Sequence, residues 1–379
     1  MSTLLKNPKA LAALVVVAVI LVVSLAGGAL GNEFGGGFLG SPLAHIQIPA
    51  ESVLTNEVFL GWSITNTMVA TWITILVLIV LSYLGTRRMK EVPTGLQNFF
   101  EVILEFFLEL SESIAGRERA RRFFPLVVTI FLFIVAANWL GILPGFGTIG
   151  RIEPPHEVLI HANDLHDAAL LHDIEEAEDE QKKLNIIADA LRDGDGEKDL
   201  SEVTANIFSG EGSFGIISFG SLDDQITAEE IAKDGVPDGK QAGVLVPLLR
   251  SANTDINTTL AIALVAMFLV HFWGFRALGI FGHLGKFINF KQGPIGFFVG
   301  ILEAISEVAR IISFTFRLFG NIFAGEVLLV ALAFLLPVIG IIPFLGLELF
   351  VGVIQAFIFS MLTLVFASMA TVSHSSADH

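Results

Sequence analysis

Long apolar segments recur along the chain and alternate with shorter polar stretches. A membrane-spanning helix requires roughly 20 mostly apolar residues, because it must cross a hydrocarbon layer about 30 Å thick. Five segments or regions reach this length, which predicts a polytopic membrane protein and excludes a soluble enzyme. They are residues 10–31, 65–85, 123–143, 257–275 and 294–373.

The last apolar region is too long for a single span. Pro337 and Pro343 lie on either side of Gly340, and proline interrupts a helix because it lacks the backbone donor and clashes with the preceding turn. We therefore expect two long helices, 294–336 and 344–372. The predicted fold class is an all-α polytopic membrane protein with about five core membrane helices and an N-terminal apolar segment.

The N-terminal segment, residues 1–31, has two interpretations. Lys6 and Lys9 precede an apolar stretch that ends in small residues, which is typical of a cleaved signal peptide. The stretch is longer than a usual signal core, which fits a retained membrane helix equally well. The sequence leaves this choice open.

The net charge of −16 comes from one part of the chain. Residues 151–255 hold 24 of the 38 acidic residues but only 8 of the 22 basic ones, so the remainder is neutral. This pattern predicts an acidic insertion at 150–250 between two membrane regions, 32–149 and 251–379. We expect the insertion to be a solvated, partly ordered lobe. No metal is assigned to it, because its histidines do not share a helical face.

Basic residues near the span ends predict the orientation. Arg87, Arg88 and Lys90 follow the second segment, and four arginines precede the third, which makes the loop 86–122 cytoplasmic. The insertion then lies outside and the C-terminus inside. Within the loop, 92–114 has the apolar spacing of an amphipathic helix that lies on the membrane or on a partner.

The C-terminal helix pair carries charged residues inside apolar sequence. A charge at the bilayer centre costs about 2.5–3.5 kcal/mol, so such residues are retained when they are paired, hydrated or functional. Glu303, Arg310 and Arg317 recur every seven residues, which is nearly two helical turns and places them on one face. Ser306, Ser313 and Asn321 belong to the same polar stripe.

A second polar region is predicted on a different face. Glu326 follows Arg317 by nine residues, which turns it to the opposite side of the helix, and Glu348 and Gln355 share a face of the last helix. Two polar regions that both approach a central arginine without forming a continuous pore indicate two half-channels that do not meet.

Four stretches resemble subunit a of the rotary F-type ATP synthase, the membrane stator beside the ring of c subunits. Residues 317–326 (RLFGNIFAGE) and 355–363 (QAFIFSMLT) are similar to its last two helices. Residues 89–98 with 123–129 are similar to its first cytoplasmic loop and second core span, and 254–259 to the entry of the third. The resemblance covers about two-thirds of the chain and excludes most of the acidic insertion.

The resemblance implies roles for individual residues. Arg317 is similar to the essential stator arginine that faces the carboxylate of the c-ring. The implied outer half-channel comprises Glu326, Glu348, Asn321, Gln355 and Asp255. The implied cytoplasmic half-channel comprises Glu303, Ser306 and Ser313, with Arg310 in a secondary position. The family often has histidine where this chain has Glu348, and either side chain can relay a proton.

The resemblance also implies the partners. These are the c-subunit ring, around which the last two helices tilt, and the b subunits of the peripheral stalk. The sequence has no GxxxxGK[ST] phosphate loop, so the chain is not an enzyme on its own and ATP chemistry belongs to other subunits. No cofactor and no nucleic acid are expected.

Two other classes of function compete with this hypothesis. An independent ion transporter would show matching inverted repeats, whereas the charged helix pair occurs once. A membrane-anchored binding protein that works through 150–250 would leave Arg317 and its stripe unexplained.

Overall fold

The computed structural model describes residues 8–32, 38–39, 48–53, 63–163, 165, 167–177, 179–192, 200–209, 212–217, 225–237, 239–287 and 293–372. The helices in these residues are α1 (Pro8–Gly27), α2 (Ala29–Asn32), α3 (Asn66–Thr86), α4 (Leu96–Ala115), α5 (Arg117–Gly141), α6 (Pro155–Ala162), α7 (Ala168–Glu176), α8 (Glu180–Arg192), α9 (Ala228–Asp234), α10 (Ile256–Phe287), α11 (Gly293–Leu335) and α12 (Ile341–Ala370). The strands are β1 (Ile149–Glu153), β2 (Thr204–Ser209), β3 (Phe214–Ile216), β4 (Gln225–Thr227) and β5 (Lys240–Pro247).

Six of the described helices are long and apolar enough to cross a membrane, namely α1, α3, α5, α10, α11 and α12. This confirms the predicted multi-pass helical fold. The break between the last two helices falls between Leu335 and Ile341. Pro343 therefore lies in the first turn of α12, where its missing N–H costs little, and not before the helix as expected.

The N-terminal apolar segment packs against this break. The hydroxyl of Ser24 in α1 accepts hydrogen bonds from the backbone N–H groups of Val338 and Ile339, at 3.2 and 3.1 Å. Ser24 therefore satisfies two backbone donors of the turn between α11 and α12. The contact joins the N-terminal apolar segment to the last pair of helices.

The membrane helices share an apolar core between α5, α10, α11 and α12. Its centre includes Ile134, Met267, Phe314 and Phe359, and the rings of Phe314 and Phe359 lie 4.5 Å apart. The predicted amphipathic helix is α4, which packs on α5 through the buried Phe107. This packing holds α11 against its neighbours and fixes which of its faces remains open.

A glycine interrupts α10 near its C-terminal end. Gly279 has a φ of +73°, a conformation that an L side chain adopts only under strain, and the helix changes direction there. The segment after the break folds back against the one before it. His283 is thereby brought beside His271, twelve residues earlier.

The acidic insertion forms a folded lobe, which we define as the described residues between 149 and 250. A five-stranded antiparallel sheet in the order β3-β1-β5-β2-β4 is joined by α6 to α9. Its core includes the fully buried Leu159, Leu184, Ile187 and Ile231. The sequence analysis predicted neither the sheet nor this core, so the all-α description holds for the membrane helices and not for the lobe.

Candidate functional site

Arg317 lies near the middle of α11 and is held by its own helix. Its Nη2 donates to Oγ of Ser313 at 3.3 Å, and Nδ2 of Asn321 donates to the carbonyl oxygen of Arg317 at 2.8 Å. These bonds join three members of the predicted stripe. In the described part of the chain, no carboxylate oxygen lies within 4.0 Å of the Arg317 guanidinium nitrogens. Arg250 and Arg310, by contrast, each contact a glutamate carboxylate.

A cavity of about 370 Å³ lies on the lobe side of Arg317. It opens between the lobe and helices α5, α11 and α12. The structure brings Glu326 and Glu348 together here, as expected for two members of one half-channel. The other polar lining side chains are Asn138, Thr148, Arg250, Ser251 and Thr254.

Glu326 is paired with a buried arginine that the sequence analysis missed. Nε of Arg250 lies 3.2 Å from both Oε1 and Oε2 of Glu326, and Nη2 lies 3.2 Å from Oε2. The arginine side chain is 3% exposed and the glutamate side chain 27%. Arg250 lies three residues after the end of β5 and precedes the 254–259 motif, so its position in the sequence was the available signal.

Glu348 lies against the backbone of α11 at Gly325. A Cβ atom at position 325 would overlap the Glu348 carboxylate, so only glycine leaves room for this approach. The carboxylate thereby sits one residue away from Glu326 along α11. Asn321 and Gln355, which we expected in the same half-channel, do not line this cavity.

Asp255 also lies outside the cavity lining, and both of its oxygens are bound. Oδ1 accepts from the backbone N–H of Asn257 at 2.9 Å, which caps the start of α10, and Oδ2 accepts from Oγ1 of Thr67 at 3.0 Å. Asp255 is buried between α3 and α10. Its contacts position the entrance of α10 beside the cavity.

Glu51 is a second acidic group near Arg250 that the sequence analysis missed. Its Oε2 accepts from Nδ2 of Asn66 at 3.2 Å, and the backbone carbonyl of neighbouring Pro49 accepts from Nη1 of Arg250 at 3.4 Å. Burial raises the pKa of Glu51 from 4.5 to about 7, although the charge of Arg250 acts in the opposite direction. Glu51 therefore changes its charge close to neutral pH, at the edge of the lobe.

The other end of α11 carries a separate polar network. Glu307 binds Arg310 one turn away, and Nε2 of His271 lies 3.6 Å from Oε2 of Glu307. The Arg310 guanidinium also lies over the ring of Phe366, 4.6 Å from its centroid. Glu303 and Ser306, the expected residues of this half, lie on α11 beside the network.

The family model for the ATP synthase A chain matches residues 68–158 and 241–368. These two ranges span more than half of the chain. The chain belongs to the ATP synthase A chain family. The unmatched residues between them are most of the lobe, which agrees with the extent of the resemblance noted in the sequence.

Curated relatives carry the same assignment. The chain is 28% identical to ATP synthase subunit a of Gloeobacter violaceus over 314 residues, which is 83% of this chain and 86% of that protein. It is 26% identical to that of Solidesulfovibrio magneticus over 339 residues, 87% of this chain and 95% of the other. With the protein from Desulforamulus reducens it shares 41% over 143 residues, 36% of this chain and 52% of that protein.

Membership of this family identifies the chain as a multi-pass membrane subunit of an ATP synthase. The family has the proton-translocating stator role in the membrane sector, and its members are not catalytic by themselves.

Proposed function

We propose that this subunit carries protons through two offset half-channels to and from the carboxylate of a c-subunit ring, with Arg317 as the stator charge between them. The observation that supports the proposal is that, among the residues the structure describes, no carboxylate oxygen lies within 4.0 Å of the Arg317 guanidinium nitrogens. A cation inside the membrane segment of a protein requires a counter-charge or water. The missing counter-charge is the acidic group of the ring.

The chemistry of the arginine suits this role. A guanidinium keeps its proton at physiological pH, so it attracts a passing carboxylate without relaying protons itself. A neutral ring carboxyl that arrives from lipid ionises beside Arg317 and releases its proton into one half-channel. It is reprotonated from the other half-channel before it returns to lipid. The fixed cation also repels protons that would cross directly.

The two half-channels lie on opposite sides of Arg317 along α11. Glu326 and Glu348, in the cavity beside the lobe, form the outer one together with Asn321 and Gln355, and Asp255 positions its entrance. The other half consists of Glu303, Ser306 and Ser313, with Arg310 as a secondary member. The lobe faces the exterior of a bacterial plasma membrane and the C-terminus the cytoplasm, as the basic residues at the span ends predict.

The proposed partners are the c-subunit ring and the b subunits of the peripheral stalk. The c-ring packs against the exposed apolar face of α11, which includes Ile305, Ile312 and Phe316. The b subunits of the peripheral stalk hold this chain against the torque of the ring. Each proton that crosses contributes about 2.3 kcal/mol per 100 mV of membrane potential, so several must pass for each ATP made elsewhere in the complex.

The deciding experiment is ATP-driven proton pumping in membrane vesicles that contain the complete ATP synthase. Arg317→Ala should abolish pumping while the complex still assembles and hydrolyses ATP. Arg121→Ala removes an exposed arginine that precedes the apolar part of α5, and serves as the matched control that pumps normally. Pumping that survives in assembled Arg317→Ala would reject the half-channel mechanism and favour an independent transporter.

A further inference from the structure

Two histidines and a glutamate form a chain of titratable groups between α10 and α11. Nδ1 of His271 lies 3.1 Å from Nε2 of His283, and Nε2 of His271 lies 3.6 Å from Oε2 of Glu307. The other oxygen of Glu307 is bound by Arg310. Of the four residues joined by these contacts, the sequence analysis gave only Arg310 a role in conduction, as a secondary residue of the cytoplasmic half-channel.

Two glycines in α10 are needed to bring these three side chains together, which argues against an incidental contact. The break at Gly279 is needed for His283 to fold back onto α10. A Cβ at Gly274 would lie 2.5 Å from Cε1 of His283, so a second glycine is needed for the imidazole to fit. His283 is only 2% exposed, with its ring 4.6 Å from that of Phe275.

The group formed by His283, His271 and Glu307 lies beside the half of α11 that is farther from the lobe. Glu307 precedes Arg317 by ten residues, which is about 15 Å along a helix and a rotation of about 80° from its face. Glu307 therefore faces α10, whereas Arg310 and Glu303 remain near the stripe. Polar groups buried at such a depth are by default functional.

The neighbouring charges can be accounted for element by element. On α11 they are Glu303 and Arg310, and on α10 Arg276 lies between the two histidines in sequence. From α12 the network meets Phe366 and Ala370, while the titratable residue of that helix, Glu348, lies at its opposite end. The groups of this site that can both accept and donate a proton are the two imidazoles and the carboxyl of Glu307.

We propose that His283, His271 and Glu307 form a proton relay that serves the half-channel on the side of Arg317 away from the lobe. The inference rests on the proposed stator function and adds residues to it. Histidine is the side chain whose charge ordinarily changes between about pH 5 and 8, and its two nitrogens accept and donate separately. Alternating imidazoles and carboxyls are therefore suited to pass protons where free water is excluded.

The transfer steps balance. A proton taken up at Nδ1 of His283 releases the proton on Nε2 to Nδ1 of His271. The proton on Nε2 of His271 then passes to Oε2 of Glu307, across a gap of 3.6 Å that a small rotation of either side chain closes. Glu307 passes it on to the polar stripe, where Glu303 lies one helical turn away. Each group gains one proton and loses one, and the sequence runs equally in reverse.

The test uses vesicles that contain the complete complex, in which pumping is measured per assembled enzyme between about pH 5 and 8. Glu307→Gln and His271→Gln keep polar groups of similar size but cannot carry a proton through. We expect each to lower proton flux about tenfold or more, because positioned acid–base groups contribute roughly 10²–10⁴-fold to proton transfer. The dependence of the flux on pH should also flatten, which a merely structural contact would not cause. Glu307→Asp keeps a carboxyl and should retain most of the flux.

The matched control is His156→Gln in the lobe. Nδ1 of His156 lies 2.6 Å from Oε2 of Glu180, so the variant breaks another largely buried imidazole–carboxylate contact away from the membrane helices. An unchanged proton flux and pH profile in assembled Glu307→Gln would overturn the relay. Failure of both Glu307→Gln and Glu307→Asp to assemble would also overturn it, because it would indicate that Glu307 makes a structural contact. Arg317→Ala is measured in parallel. If Arg317→Ala still pumps, the proposed function itself fails. If Arg317→Ala does not pump but Glu307→Gln does, only the relay is rejected.

Discussion

Arg250 and Glu326 are separated by 76 residues in sequence and joined by three nitrogen–oxygen contacts of 3.2 Å. The pair links the end of β5 to the helix that carries Arg317. Because α11 also forms the proposed half-channels, the lobe is attached to the conducting helix at the point where one of them begins. The lobe therefore contributes an arginine directly to the cavity.

We expect Arg250→Met to destabilise the subunit and to lower proton pumping. It leaves Glu326 in a largely buried site without its counter-charge, and removal of one partner of a buried pair costs about 3–5 kcal/mol. Arg250→Lys should recover only part of the loss, because an ammonium cannot reproduce the planar fork. Thermal unfolding of the detergent-purified complex measures the effect on stability.

The double variant Arg250→Met with Glu326→Gln tests the cause. Without either charge, no buried ion is left unpaired, and most of the thermal stability should return even though pumping does not. If the double variant is as unstable as the single one, Arg250 acts through its other contacts, namely Pro49 and the ring of Phe323.

Glu51 predicts a specific dependence of stability on pH. Its pKa is raised from 4.5 to about 7, chiefly by burial. Below pH 4.5 the carboxyl is protonated in both folded and unfolded states and imposes no penalty. As the pH rises towards 7 the unfolded state ionises first, so stability is lost, and above that range the loss is constant.

The comparison of wild type with Glu51→Gln isolates this effect. The two proteins should unfold at similar temperatures near pH 4.5, and the variant should become the more stable one as the pH approaches 7. Glu157→Gln removes a more exposed carboxylate of the lobe and serves as the control. A difference between wild type and Glu51→Gln that does not grow with pH would contradict the prediction.

Substitutions at Asp255 distinguish a positioning role of this residue from a role in carrying protons. Asp255→Asn keeps an oxygen to cap α10 at Asn257 and a group to bind Thr67, but cannot ionise. We expect it to pump normally, whereas Asp255→Ala should lose about 1 kcal/mol of stability with the cap. Loss of pumping in a stable Asp255→Asn protein would show that the carboxyl itself carries protons.

The sequence predicted the parts of this protein that follow from one helix at a time. The spans, the break near Pro337 and the stripe through Arg317 each depend on apolar length, proline or helical period. Contacts between distant segments could not be read in this way. Arg250 meets Glu326 only because β5 ends beside α11, and His283 meets His271 only because α10 turns at Gly279.

The β-sheet and core of the lobe were not predicted, for a related reason. Its strands are three to eight residues long, and its sheet pairs β1 with β5 across almost the whole insertion. Short strands with partners far along the chain give weak local patterns, and the high acidic content favoured a solvated segment. The buried side chains Leu184 and Ile187 belong to an amphipathic helix, which was the available indication of a core.

Gly325 provides the sharpest test of the cavity beside the lobe. A methyl group there would overlap the Glu348 carboxylate, so Gly325→Ala should displace Glu348 from Glu326 and lower pumping about tenfold, equivalent to about 1.4 kcal/mol in the barrier. Gly346→Ala in α12 places the same methyl group where, apart from the adjacent residues and backbone of α12 itself, no atom of the described residues lies within 4 Å, and should have little effect. Both changes replace a helical glycine by alanine, so helix propensity cancels between them. If the two variants pump equally well, the approach of Glu348 to α11 is not required for conduction, and Glu326 must exchange protons with the exterior by another route.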